Sequence, residues 1–236
     1  MWSDIPYSSS PSAAYTESAP PLPSPPPHLL SNPIISTALM CYQKFIKVET
    51  PFNIERFKNL LADHPNPLFI SLVMSGLQNG FWPLDTGEWK VHLAEVIDNY
   101  LVDPADLEAI QKFCDKEVAA NHWSDPIPEL LPRMKISLMF VIWQHGKPHV
   151  ITDHAGSGLN DGISRNNTKV SYDDMHLFGQ TMQNECRSHP RQKLLTFKSD
   201  VSSAFLNPPA HPIWQLRQVV TVNTQLFIIC QLVFGN

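Results

Sequence analysis

The stretch that decides how this chain is read is Phe197-Lys198-Ser199-Asp200-Val201-Ser202-Ser203-Ala204-Phe205-Leu206-Asn207-Pro208. Residues 194–198 are largely apolar and predict a strand that delivers Asp200 at its end. Taken alone, a strand-end Asp reads as a turn or helix cap. It is also the ligand a hard divalent cation takes, and the adjacent Val201 carbonyl can add a second oxygen. Phe205 sets an aromatic ring five residues beyond Asp200.

Upstream, residues 136–143 and 150–152 read as strands flanking a turn at Gln144-His145-Gly146-Lys147-Pro148. A Gly/Asn-rich loop follows over 156–167, then a helix beginning near Tyr172-Asp173-Asp174, whose paired acids suit a helix N-terminus. Downstream, 218–222 and 225–233 predict a hairpin around Asn223-Thr224. The first half is helical in pattern. Ile54, Phe57, Leu60 and Leu61 recur at helical spacing, and an apolar run at 68–73 precedes Gly76 and Gly80. Asp103-Pro104 offers an N-cap and a first-turn proline, followed by a stripe of Leu107, Ile110, Cys114 and Val118. Residues 1–33 hold nine of the 22 prolines and predict a disordered tail of polyproline II character, unable to form helix or ladder. Such a tail suits a partner protein with an aromatic groove.

The expectation is an α+β fold in three parts: a Pro/Ser-rich tail at 1–33, a helical region at 34–130, and strands with a small antiparallel sheet at 131–236.

The quoted stretch resembles the first catalytic motif of retrotransposon reverse transcriptases, a strand followed by D-V-S-x-A-F-x-x-x-P. Gly146-Lys147-Pro148-His149-Val150-Ile151-Thr152-Asp153, with Leu159-Asn160 beyond it, resembles the fingers motif G-K-x-R-x-x-x-D…L-N. Leu232-Val233-Phe234-Gly235 resembles the opening of motif B, L-P-F-G. The three partial motifs stand in the family's order, and the resemblance spans roughly residues 52–236.

The resemblance implies that 131–236 forms fingers and part of a palm. Asp200 would be the first Mg2+-binding carboxylate, with the Val201 carbonyl beside it, and Phe205 the gate that excludes a 2′-hydroxyl. Lys147 and His149 would lie near the triphosphate of a dNTP. Asp153 and Asn160 would brace the fingers turn, and Phe234 and Gly235 would approach the templating base of an RNA or DNA template-primer. Two departures stand out. His149 occupies the place of an Arg, and an imidazole does not grip phosphate bidentately. No Tyr-x-Asp-Asp follows motif B, so the second magnesium-binding Asp is missing from these residues. The expectation is a chain derived from an RNA-directed DNA polymerase and inactive alone. The alternatives are part of a longer active polymerase, and a non-catalytic RNA- or protein-binding module.

Charge and cysteines bound the remaining classes. The net charge of −5 argues against a generic nucleic-acid coat. It is unevenly spread: residues 1–130 hold 7 Lys and Arg against 16 Asp and Glu, residues 131–236 hold 10 against 6, so the second half is the one to face phosphates. The four cysteines contain no CxxC pair and read as buried thiols. His145, His149 and His154 straddle a turn and a strand without a nearby Cys, and read as surface or hairpin histidines rather than a zinc set. Gly156-Ser157-Gly158 lacks a Walker lysine and reads as a turn. No apolar run approaches bilayer length and no secretion signal opens the chain, so an intracellular protein, cytoplasmic or nuclear, is expected.

Overall fold

A computed structural model describes residues 19–89, 103–163, 175–196 and 204–233. The fold is α+β. Its helices are α1 (Pro27–Leu30), α2 (Pro33–Cys41), α3 (Ile54–Leu60), α4 (Pro67–Asn79), α5 (Pro104–Ala119), α6 (Met175–Ser188) and α7 (Pro212–Gln215). Two antiparallel hairpins carry the strands: β1 (Leu138–Gln144) with β2 (Lys147–Asp153), and β3 (Val219–Val222) with β4 (Gln225–Ile228).

One device starts most of the longer helices. Asn32, Asn53, Asn66 and Asp103 each accept a backbone N–H of the first turn through the side chain, and Pro follows the cap in α2, α4 and α5. This satisfies donors that the helix itself leaves orphaned, while Pro supplies the φ the first turn needs. The Asp103 cap was legible in advance, as was the stripe behind it: Ile110 and Cys114 are each 1% exposed, although Leu107 lies 42% exposed.

The main core gathers three indoles. Trp82 stacks on Trp89 at 6.2 Å and meets Trp214 edge-on at 5.6 Å. Around them lie Leu29, Ile35, Ile213, Val219 and Ile228, so the core draws on both sides of residue 130. Gln218 locks this region: its Oε1 accepts from Trp214 Nε1 at 2.9 Å, and its Nε2 donates to the Ile229 and Gln231 carbonyls. Buried amides are tolerated in an apolar core when their hydrogen bonds are made. A second cluster packs Ile110 and Cys114 of α5 against Val220, Phe227, Ile229 and Met139. A third joins α4 to α3 through Ile70, Met74 and Leu77.

Single bridges extend the second hairpin into a wider platform. Trp123 pairs with Ile229 and Ile127 with Leu226, both antiparallel, while Ile136 pairs parallel with Val219. The segment leading into β1 is thereby tied to β3.

Four expectations change. Residues 27–30 form a helical turn instead of an extended tail, and Leu29 is 1% exposed, because a buried leucine outweighs the polyproline preference of its neighbours. Residues 194–196 carry no strand, and Leu195 is 80% exposed. Cys41 and Cys186 are exposed, whereas Cys114 and Cys230 are buried as read. His154 is buried at 5% exposure, not a surface histidine. The predicted helix near Tyr172 is described from Met175, and residues 172–174 lie outside the described part.

No helix among the described residues is long and apolar enough to cross a membrane.

Candidate functional site

The β1–β2 hairpin is built by its turn. His145 and Gly146 both have positive φ, 50° and 74°, as a two-residue turn matched to strand twist requires. Register follows: Gln144 faces Lys147, Trp143 faces Pro148, and Ile142 faces His149. Lys147 and His149 are exposed on the arm. The arm is fastened near its far end by Trp143, whose Nε1 donates to Asp106 Oδ1 at 2.8 Å, at the start of α5.

At the base of the arm, Asp153 closes a local turn. Its Oδ1 accepts from Gly156 N at 2.6 Å, and its carbonyl accepts from Ser157 N at 3.1 Å. This closes the turn that leads into a 3-10 helix, Leu159–Gly162. Asn160 takes part through its carbonyl, which accepts from Ile163 N at 3.0 Å.

The described parts of the three motif-bearing segments meet at the base of this arm. Within the quoted stretch, a 3-10 turn at Ala204–Leu206 leads to Pro208. The Pro208 carbonyl accepts from Leu232 N at 2.9 Å, and Ala210 N donates to the Cys230 carbonyl at 2.9 Å. Pro209 and Gln231 thus form an antiparallel bridge, joining the end of the first motif to the approach to the third. A cavity of about 340 Å³ opens between these segments and α5, bordered by Val150 and Thr152 of β2, by Leu206 and by Val233.

Glu117 and His154 also border this cavity, and sequence reading had assigned neither to a site. Glu117 is 1% exposed, and its Oε2 lies 2.6 Å from His122 Nδ1. A signal was present: Glu117 falls on the buried stripe of α5, seven residues after Ile110, where an apolar residue is the rule. Burial holds the His154 imidazole down at about 4, with Asp153 opposing, so it is neutral at physiological pH. Its Nδ1 lies 3.1 Å from Ser137 Oγ, which in turn lies 3.0 Å from Ser157 Oγ.

Of the residues expected to form a catalytic centre, Asp200, Val201, Phe234 and Gly235 lie outside the described residues, as does the side chain of Phe205. Lys147 and His149 sit on the arm and do not border the cavity. Among the described residues no three His, Cys, Asp or Glu side chains are grouped to hold a metal ion.

A second concavity of about 410 Å³ is bordered by Asp85, Lys135, Asp161 and Arg217. Arg217 is 6% exposed, its guanidinium 4.6 Å over the Trp89 ring. Burial lowers it to about 10, partly offset by Asp85.

No protein-family model matches the chain. No curated protein matches it in sequence. A solved structure described as the foamy viral protease-reverse transcriptase in complex with dsDNA is similar at a TM-score of 0.41 and 14% identity, over 81% of this chain. The chain spans 40% of the length of that viral chain.

Proposed function

We propose that the chain is the fingers and leading palm portion of a reverse-transcriptase-like nucleotidyl transferase, derived from a retroelement. The observation that carries this reading is convergence. Three motif-bearing segments far apart in sequence border one cavity, and the end of the first is hydrogen-bonded to the approach to the third. On this reading Lys147 meets the phosphates of a dNTP or of an RNA or DNA template-primer, since charge in phosphoryl transfer spreads over non-bridging oxygens. Asp200 holds Mg2+ with the Val201 carbonyl, Phe205 screens the sugar, and Phe234 with Gly235 meets the templating base. Among the described residues no group of three His, Cys, Asp or Glu side chains adds a further ligand set for magnesium.

Residues 1–236 contain no Tyr-x-Asp-Asp, and one carboxylate does not hold two magnesium ions beside a triphosphate. The expected behaviour of these residues alone is binding without synthesis. Fluorescence anisotropy with a labelled single-stranded RNA, titrated from low to high salt, tests this beside a primer-extension assay. Binding that falls steeply with salt, and weakens when Lys147 and Lys198 are both changed to Ala, fits the proposal. No binding even at low salt sinks it. Salt-dependent binding unchanged in the double variant favours the alternative, a module that meets RNA through another face of the positive second half.

A further inference from the structure

Arg217 is a buried cation without a counter-ion. It is 6% exposed, and among the described residues no carboxylate forms an ion pair with it. Its guanidinium lies over the Trp89 ring, and that ring is itself fixed, since Trp89 Nε1 donates to Asp85 Oδ1 at 2.8 Å. Of the guanidinium donors one is used: Nη1 donates to the Arg133 carbonyl at 3.4 Å. Nε is closed off without a partner. Nη2 makes no hydrogen bond either, but it is not among the closed-off atoms, so it can be reached from outside. Arginine is kept in a protein interior by pairing, and here the fold leaves the pairing incomplete at the edge of the second concavity, which Arg217 borders.

The remaining charges on that border decide what can pair with it. Lys135 stands beside Arg217, against Asp85, Glu88 and Asp161, so carboxylates outnumber cations and a free dianion such as phosphate is disfavoured. Asp85 is spent: Oδ1 accepts from Gly87 N and Trp89 Nε1, and Oδ2 is packed against Gly162, where a Cβ would collide with it. Glu88 and Asp161 are exposed, and neither forms an ion pair. The concavity thus offers one open guanidinium edge inside and two available carboxylates on the rim. We propose that it binds a small zwitterion, a free α-amino acid, with the ligand carboxylate on Arg217 Nη2 and the ligand ammonium toward Glu88 and Asp161. None of the residues proposed above for nucleotide or template borders it, so the site stands whether or not the chain is of polymerase descent.

The test titrates the full chain with three matched probes. L-Leucine carries both charges, 4-methylpentanoate lacks the ammonium, and 3-methylbutylamine lacks the carboxylate; Leu159 and Trp89 on the border offer the common side chain an apolar wall. Isothermal titration gives the affinities, and the Trp89 indole N–H signal in NMR reports binding at this site. L-Leucine is expected to bind at least about tenfold more tightly than either single-charge probe, the ratio that one hydrogen bond to a charged group supports. Changing the exposed pair together, Glu88→Gln with Asp161→Asn, should erase the advantage of L-leucine over 4-methylpentanoate while thermal unfolding stays as in the parent. Arg217→Gln should weaken both carboxylate probes. Equal binding of the three probes, binding of none, tighter binding of inorganic phosphate than of L-leucine, or an unchanged L-leucine advantage in the folded rim variant would overturn the proposal. Should Arg217→Gln fail to fold, the probe ranking and the rim variant decide it.

Discussion

Among the described residues, two hairpins have nearly the same turn and opposite fates. In each, two consecutive residues with positive φ reverse the chain: His145 and Gly146 in one, Asn223 and Thr224 in the other. The β3–β4 hairpin is buried along almost its whole length, with Val219, Val220 and Ile228 fully inaccessible. The β1–β2 hairpin is buried near its base and exposed toward its tip, where Ile142 is 43% and Trp143 48% exposed. Turn chemistry thus makes a hairpin in both places, and the flanking side chains decide whether it becomes core or arm. Val-Val-Thr-Val leaves no polar face, so both sides seek cover. The arm carries Lys147, Pro148 and His149, which gain nothing by burial.

The difference predicts where damage is global and where it is local. Trp214→Ala, at the indole cluster beneath β3, should cost about 4 kcal/mol and be visible as an early midpoint in urea denaturation. A loss below about 1 kcal/mol would mean that the cluster is not the anchor of the buried hairpin.

Acid should act next, through two neutral imidazoles, the buried His154 and the half-buried His211. His154 and His211 are both held at about 4 by burial, below the ordinary 6.5. The unfolded chain therefore takes up protons first on acidification. Their contribution is fully present above about pH 6.5 and is lost as pH falls toward 4, at no more than about 1.4 kcal/mol per pH unit for each histidine. Urea midpoints at pH 7.5, 6, 5 and 4.5 should fall progressively, and His154→Phe should flatten the decline. A flat profile across that window would show that neither ring is held neutral by its surroundings.

The turns themselves can be compared by one substitution. The arm places Gly146 where the buried hairpin has Thr224, a β-branched residue at φ 65°. Thr224→Gly relieves that strain and should raise stability by up to about 1 kcal/mol. A loss would show that the Thr224 hydroxyl, which donates to the Asn223 carbonyl, is worth more than the strain. Lys147→Ala, at the arm's tip, should leave stability within about 0.5 kcal/mol and, on the proposed function, lower the salt slope of RNA binding by about one.

How much of this could be read from residues alone differs between the same two regions. The hairpins and the Asp103 cap were legible because local rules govern them. Two-residue turns, capping side chains and strand alternation act over a few positions. Glu117 and His154 were not legible as a pair. Their relation is created by α5 packing against the base of the hairpin, and nothing within reach of either along the chain announces it. Leu29 misled for the same reason: a Pro-rich sequence argues for an extended tail, and only the distant core explains why one of its leucines is held. Residues 194–196 misled in the other direction, since an apolar run predicts a strand only when something is there to pair with it.

The cysteines offer a way to watch the two clusters separately. Cys230 lies in the tryptophan core and Cys114 in the cluster beneath α5, both buried. Burial pushes their thiols up to about 12 and about 11. Neither forms a useful thiolate until its surroundings open, whereas Cys41 and Cys186 are exposed from the start. After the exposed pair is blocked with an alkylating reagent, the later reaction of each remaining thiol becomes a clock. If the two clocks run together, the clusters open as one cooperative unit. If Cys114 reacts first, the arm and its helix can come away while the indole core stays shut.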